Sequence, residues 1–306
     1  MRKLIPYIAI ITAMLIWAGA GIAVQEALQV FGPYTLIVLR FTLAVLLMLA
    51  IGLIFRRSDV LGLQRIEKRD IPLFVLGSLF QPCLYFIFET FTYKSIASPT
   101  VAEAMLSTQP VLAPIFALVL LREQITRHNI IGIVLSTIGM LMLLLIGSSD
   151  FTLGDPWGIL LAFLTVSMSV SYTIVLRRIP THYTPLSIIF YVQLFSLCLF
   201  YPLWGFTEAG QLLHHSESLL NTITPLLAVG YLAVFASVAA FVLFCYTVRK
   251  IGVTRANVFN NIRPVFTALL MWIIFDEILP IWKLIGIVII IIGLFISQKS
   301  QKNNNN

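Results

Sequence analysis

Residues 110–123 read PVLAPIFALVLLRE, and residues 264–277 read PVFTALLMWIIFDE. Pro110 and Pro264 stand 154 positions apart, and so do Glu123 and Glu277, Gly132 and Gly286, and Gly139 and Gly293. The tetrapeptide IGIV at 131–134 returns at 285–288. Four marker residues at one offset are hard to obtain by chance, even in an apolar chain. The sequence therefore reads as two tandem copies, expected over 1–147 and 148–298, with a polar tail at 299–306.

The rest of the chain is strongly apolar too. Of its 306 residues 59% are hydrophobic and 11% charged, with a mean hydropathy of +0.97. A soluble domain carries roughly 25% charged residues, so a water-soluble surface is excluded. An apolar run of about 20 residues crosses a bilayer as a helix. Ten such runs are expected: Leu4–Val24, Tyr34–Ile54, Ile71–Phe91, Thr100–Leu121, Ile130–Ile146, Trp157–Leu176, Leu186–Leu203, Pro225–Val248, Ala256–Phe275 and Ile281–Ile296. The longest connections, Phe55–Asp70 and Trp204–Thr224, leave no room for a soluble domain. The first run could mimic a secretory signal, but its apolar core is too long, and it reads as a retained helix.

Charge gives the orientation. Counted by alternate connections, the 20 Lys and Arg residues separate sharply. Only Lys94 and Lys283 fall on one side, Arg40 and Arg263 fall inside spans, and the rest share the other side. Basic loops stay in the cytoplasm, so both termini are expected there. The net charge of +7 is thus a membrane-topology signal and does not point to nucleic acid. Five spans per copy is odd, so the second copy enters the bilayer inverted. Inverted repeats are the construction of many secondary transporters, which expose one central site to each side in turn. Channels also use it, so a passive facilitator remains as an alternative.

The two copies, together with LIWAGAGIAVQ in the first span, PYTLIVLRF entering the second, and IIGIVLSTIGMLMLL and LIGIVIIIIGLF after the two glutamates, resemble the drug/metabolite transporter superfamily in its EamA branch. The resemblance covers both halves in order. It implies a ten-helix bundle with cytoplasmic ends, a central cavity between the halves, and movement of small metabolites, frequently amino acid export. It also favours a bacterial inner membrane. One departure stands out: where the family carries an apolar or small residue before the ninth-span proline, this chain has Arg263.

Ionisable side chains are costly in hydrocarbon and face the bundle interior. Those within spans are Arg40, Glu89, Glu103 and Arg263. Arg40 and Glu89 lie at similar depth, as an ion pair or a proton relay. The repeat pairs Glu103 with Asn257, Ser107 with Asn261, and Gln109 with Arg263. Residues four apart share a helix face, so Glu103 and Ser107 form a polar face before Pro110. Asn257 and Asn261, widened by Asn260, form the matching face before Pro264. Each proline removes a helical hydrogen bond, and broken helices at mid-membrane mark transporter sites. Arg263 is the foremost substrate candidate, since a guanidinium forks onto carboxylate. Gln81, Tyr85, Glu89 and Thr92 form a stripe on span 3, and Thr165, Ser169 and Tyr172 a stripe on span 6. Trp17 sits inside span 1, either touching substrate or packing. Tyr191 and Gln193 in span 7 are weaker candidates. The cavity expected is therefore lined by Trp17, Gln81, Tyr85, Glu103, Ser107, Gln109, Tyr172, Asn257, Asn260, Asn261 and Arg263.

Other chemistries lack their residues. There is no phosphate-binding GxxxxGK[ST] loop, no span carries Asp, and His214 and His215 lie in a connection. Neither an enzyme, a cofactor nor a metal site is expected. Cys83, Cys198 and Cys245 read as small core residues. Gly132, Gly139, Gly286 and Gly293 allow close helix approach, inside the bundle or in a homodimer. The expected partners are the bilayer and a small substrate, whether a zwitterionic or anionic metabolite or, as the alternative, a cationic drug.

Overall fold

The computed structural model describes residues 4–95, 106, 108–122, 125–145, 156–209, 223–275 and 281–298, and these contain no strand. The helices are α1 (Ile5–Leu28), α2 (Pro33–Ile54), α3 (Ile71–Ser78), α4 (Tyr85–Ser95), α5 (Gln109–Leu121), α6 (Arg127–Leu145) and α7 (Pro156–Arg178). They continue with α8 (Pro185–Thr207), α9 (Ile223–Tyr231), α10 (Ala240–Ile251), α11 (Val253–Val258), α12 (Arg263–Phe275) and α13 (Ile281–Gln298). A kinked segment (Leu79–Leu84) joins α3 to α4, a wide π-helical turn (Leu232–Ala239) joins α9 to α10, and a tight 3-10 turn (Phe259–Ile262) joins α11 to α12. Proline stands in the first turn of α1, α2, α3, α5 and α8, where its missing N–H costs nothing.

Among the described residues six helical runs are long and apolar enough to cross a membrane: Ile5–Leu28, Pro33–Ile54, Ile71–Glu89, Pro156–Arg178, Pro185–Thr207 and Ile223–Ile251. Gln109–Leu121, Arg127–Met142 and Leu284–Ser297 are shorter apolar helices. Span 3, expected as one even helix, is interrupted. Gln81 is extended (φ −148°, ψ 125°) in front of Pro82. A proline disfavours the helical conformation in the residue before it, so the helix breaks there. Helices α5 and α12 each begin one residue before the repeated prolines.

The chain packs as two compact units, Met1–Cys83 with Arg178–Tyr246, and Leu84–Arg177 with Thr247–Asn306. Each unit draws on both sequence copies. The repeat is a boundary of sequence; the units are boundaries of packing.

In the first unit α2 and α8 lie antiparallel. Trp204 Nε1 donates to Thr35 Oγ1 (2.9 Å), Phe41 stacks with Phe200 (6.4 Å), and at the other end the Leu186 N–H donates to the Val60 carbonyl (3.2 Å). No side chain caps α2 from its own N-cap position, Gly32. The buried Glu208 supplies the cap instead, accepting from the N–H groups of Tyr34 (3.2 Å) and Thr35 (2.8 Å). A carboxylate there meets both the free donors and the positive end of the helix. A Cβ on Gly32 would lie 2.4 Å from Glu208 Oε2, so a larger residue there would push the carboxylate away from this position. Ala20, Ala23 and Ala27 of α1 pack in one cluster with Ala228, Val229, Leu232 and Ala236, and the alanines let the helices approach.

In the second unit α6 and α13 form the tightest helix pair. A Cβ on Gly132 would meet the Gly293 carbonyl at 2.5 Å, and one on Gly139 the Gly286 carbonyl at 2.6 Å. The helices therefore run antiparallel, backbone against backbone. All four repeated glycines are spent in this one crossing inside the unit. α11 and the 3-10 turn pack against α5, α6 and α13.

Candidate functional site

A buried polar cluster lies in the second unit, where α10 gives way to α11. Gly252 takes φ 90°, a region almost reserved for glycine, and lets α11 start in a new direction. One turn of α-helix and one of 3-10 helix then carry three asparagines inward. Asn257 and Asn261 are fully buried and Asn260 nearly so. Asn257 Nδ2 donates back to the Val253 carbonyl (3.0 Å), and Asn260 Nδ2 to the Asn257 carbonyl (3.1 Å) and Oδ1 (3.3 Å). Asn261 Nδ2 crosses to α6 and donates to Ser136 Oγ (2.9 Å) and Thr137 Oγ1 (3.5 Å). Buried polar atoms are normally paired, yet two here are not. Asn261 Oδ1 and Arg263 Nε are buried with no hydrogen-bond partner among the described residues. The Ser136 hydroxyl donates to the Ile133 carbonyl (3.1 Å), which leaves its oxygen to accept from Nδ2 and sets the orientation of the amide.

Gln109, the repeat partner of Arg263, is buried at the first position of α5, the helix against which α11 packs. Glu103, Ser107, His214 and His215 lie outside the described residues, as do the repeated Glu123 and Glu277. Pro264 follows Arg263 in the first turn of α12, and Pro110 follows Gln109 in that of α5. On α4 the Tyr85 hydroxyl donates to Glu89 Oε1 (2.8 Å), and buried Thr92 turns back to the Phe88 carbonyl (2.8 Å). Gln81 falls in the helix break and does not continue their helical stripe. On α7 Tyr172, Thr165 and Ser169 are buried, and the Thr165 hydroxyl is spent on the Leu161 carbonyl (2.8 Å).

A second convergence lies in the first unit, on the π-helical turn after α9. A π turn widens the helix and frees carbonyls for outside donors. Trp17 Nε1 donates to the Ala236 carbonyl (3.1 Å), and Gln193 Nε2 to that of Ser237 (2.6 Å). Arg40 Nε donates to Ser237 Oγ (2.6 Å), with its guanidinium 5.3 Å from the Phe41 ring centroid. Trp17 also meets Phe241 edge-on at 5.1 Å. Gln193 Oε1 is a third buried atom without a partner among the described residues. Tyr191 meets Phe74 at 6.0 Å. Cys83 and Cys245 are buried, but Cys198 is exposed on α8 rather than in the core.

Sequence reasoning missed Ser136, Thr137 and Ser237, single hydroxyls in apolar helices that carry no mark of their role. Their repeat partners are no guide, because Ser136 pairs at the 154 offset with the apolar Ile290. It also missed the ends of the first unit's loops. There Glu67, Asp70 and His182 bring side-chain ligand atoms within 4.8 Å of one another. That group is already engaged, Glu67 by Arg69 (2.8 Å) and Asp70 by the Tyr183 hydroxyl (2.8 Å). Burial, and next the Asp70 carboxylate, push the Tyr183 phenol above its ordinary 10.0.

Comparison with known proteins agrees with this architecture. The model of the EamA-like transporter family matches twice, over residues 4–145 and 156–298. An uncharacterized transporter of Bacillus subtilis, YetK, is 26% identical over 98% of this chain and 94% of its own length. An uncharacterized transporter of Archaeoglobus fulgidus is 23% identical over 95% and 97%, and a WAT1-related protein of Arabidopsis thaliana 24% identical over 96% and 86%. A protein of known crystal structure superposes with a TM-score of 0.78 at 21% identity, over 96% of this chain and 98% of that one.

Proposed function

Because the chain belongs to the EamA-like transporter family, we propose that it is a secondary carrier of a small zwitterionic or anionic metabolite, such as an amino acid. It is a multi-pass membrane protein of a family that transports small substrates. In this reading it exports that substrate across a bacterial inner membrane by alternating access. The observation that carries the substrate class is the pair of unpartnered buried atoms, Arg263 Nε and Asn261 Oδ1, in one cluster. Leaving either unpaired costs about 1–3 kcal/mol. A guanidinium donor suits a carboxylate, and an amide oxygen suits an ammonium. Broken helices around such groups are the usual construction of a carrier's central site.

Two further observations support ten spans in two inverted halves. The family model fits the chain twice in tandem. The glycine crossing of α6 and α13 also maps onto itself under the 154-residue exchange, because Gly132 against Gly293 becomes Gly286 against Gly139. A self-equivalent antiparallel crossing is what an in-plane twofold axis between inverted halves produces. The basic loops then put both termini in the cytoplasm.

The test is a thermal-shift screen of the purified protein with amino acids, organic acids, nucleosides and cationic drugs, repeated with Arg263→Gln. A ligand that binds only the folded state raises its stability. Zwitterionic or anionic metabolites are expected to stabilise the native protein and not the variant. Equal shifts of both proteins by cationic or neutral compounds alone would remove the basis for this substrate class.

A further inference from the structure

The first unit holds a polar cavity of about 300 Å³ at the end of α2, lined by residues of the loop after it and of the segment before α8. Its walls are held by a dense set of hydrogen bonds. The Gly62 carbonyl accepts from Thr184 Oγ1 (2.6 Å) and Ser187 Oγ (3.1 Å). Gln64 donates from its N–H to Ser187 Oγ (2.8 Å) and from Nε2 to the His182 carbonyl (2.8 Å), and accepts from the Thr184 N–H (2.7 Å). Deeper in, Tyr183 is locked between the Glu67 N–H (2.9 Å) and Asp70 (2.8 Å). A connection between membrane spans needs no such framework merely to link them.

Arg56 and Arg57 stand in the wall of this cavity, exposed, with no hydrogen bond or ion pair to any described residue. Asp59 shares the wall, so two guanidinium charges face one carboxylate. His182 is turned toward Glu67 (3.6 Å). Immediately before the two arginines, Leu53, Ile54 and Phe55 are exposed at the end of a membrane-spanning helix. An apolar stripe thus runs directly into a basic, polar cavity. That sequence of surfaces matches an amphiphile, with acyl chains along α2 and an anionic head in the cavity.

We propose that this cavity binds the phosphate group of an anionic phospholipid headgroup, held by Arg56 and Arg57. Guanidinium pairs are the preferred partners of phosphate oxygens, and basic pockets at the ends of membrane helices take lipid head groups. The proposal requires only that α2 spans the bilayer, and is independent of what the protein carries.

The test is native mass spectrometry of the full-length detergent-purified protein titrated with dioleoylphosphatidylglycerol, against dioleoylphosphatidylcholine. One phosphatidylglycerol adduct is expected at a population at least fivefold above that of phosphatidylcholine. R56Q/R57Q is expected to remove that preference, while R65Q/K68Q, basic residues of the same loop outside the cavity, keeps it. Both doubles replace exposed side chains, and an unchanged melting temperature in lipid-free detergent confirms their folding. Inorganic phosphate or glycerol 1-phosphate serves as competitor. Failure of 10 mM of either to displace the lipid supports a lipid source, and displacement assigns the site to a soluble phosphate and overturns the lipid. Equal adducts in native protein and R56Q/R57Q, or equal losses in both doubles, would overturn the site itself.

Discussion

Arg263 concentrates the chemistry of this chain because it brings a planar, forked set of donors into the asparagine cluster. Its Nε has no partner among the described residues, so its fork is available to a ligand. Replacing it by Lys keeps the charge and loses the fork. Arg263→Lys is expected to lower transport efficiency by ~10-fold or more, as loss of a charge-assisted hydrogen bond worth ~1.5–3 kcal/mol implies, measured as kcat/KM in proteoliposomes. Arg40 differs, being spent on Ser237. Ser237→Ala is therefore expected to lower the melting temperature, at ~1.5–3 kcal/mol for a buried bond to a charge, without altering substrate selectivity. Arg263 and the asparagines were legible in the sequence through scarcity, since polar groups in an apolar span need a reason. Ser136, Thr137 and Ser237 were not, because hydroxyls are common in spans and only packing shows which of them meet Asn261 or Arg40.

At the scale of elements, apolar run length picks out the six runs long enough to span among the described residues and reads interruptions poorly. The run Ile71–Phe91 has no polar gap to announce that Gln81 is extended, and Pro82 alone does not distinguish a kink from a break. The repeated glycines were legible as close contacts, but not which helices they join. Their crossing gives a sharp prediction. Gly132→Val would drive a branched side chain into the Gly293 carbonyl and Ser297 N–H, both within 2.5 Å of the added Cβ. Loss of at least about 2 kcal/mol is expected from such overpacking, read as a fall in melting temperature. Gly252→Ala is expected to lose ~1–3 kcal/mol from backbone conformation alone, with the same readout. In the loop segment, Tyr183 has a folded-state pKa above its ordinary 10.0. Its stabilising contribution is present below pH 10 and is lost as pH rises from there through the raised value. Tyr183→Phe is expected to cost about 1–3 kcal/mol near neutrality, and to flatten the alkaline loss of stability in a pH series of melting curves.

At the scale of the whole molecule, the repeat is legible in the amino-acid order alone, because a single offset carries four marker residues through both halves. The assignment of helices to two packing units is not. Helices from both copies build each unit, and contacts between distant segments leave no trace in a local pattern. The α6–α13 crossing shows why the copies must intermix, since its glycines serve each other only when the two halves are brought together. The proposed carrier function rests on a polar cluster with unpartnered buried atoms in a member of a transporter family, and it requires a flux that is carried rather than leaked. The most direct test is counterflow in proteoliposomes, using the metabolite that the thermal screen selects. Labelled substrate should enter with saturation, faster when unlabelled substrate is loaded inside, and Arg263→Gln should abolish the exchange while leaving the protein folded. Flux that neither saturates nor responds to substrate on the far side, or exchange undiminished in Arg263→Gln, would contradict a carrier built around Arg263.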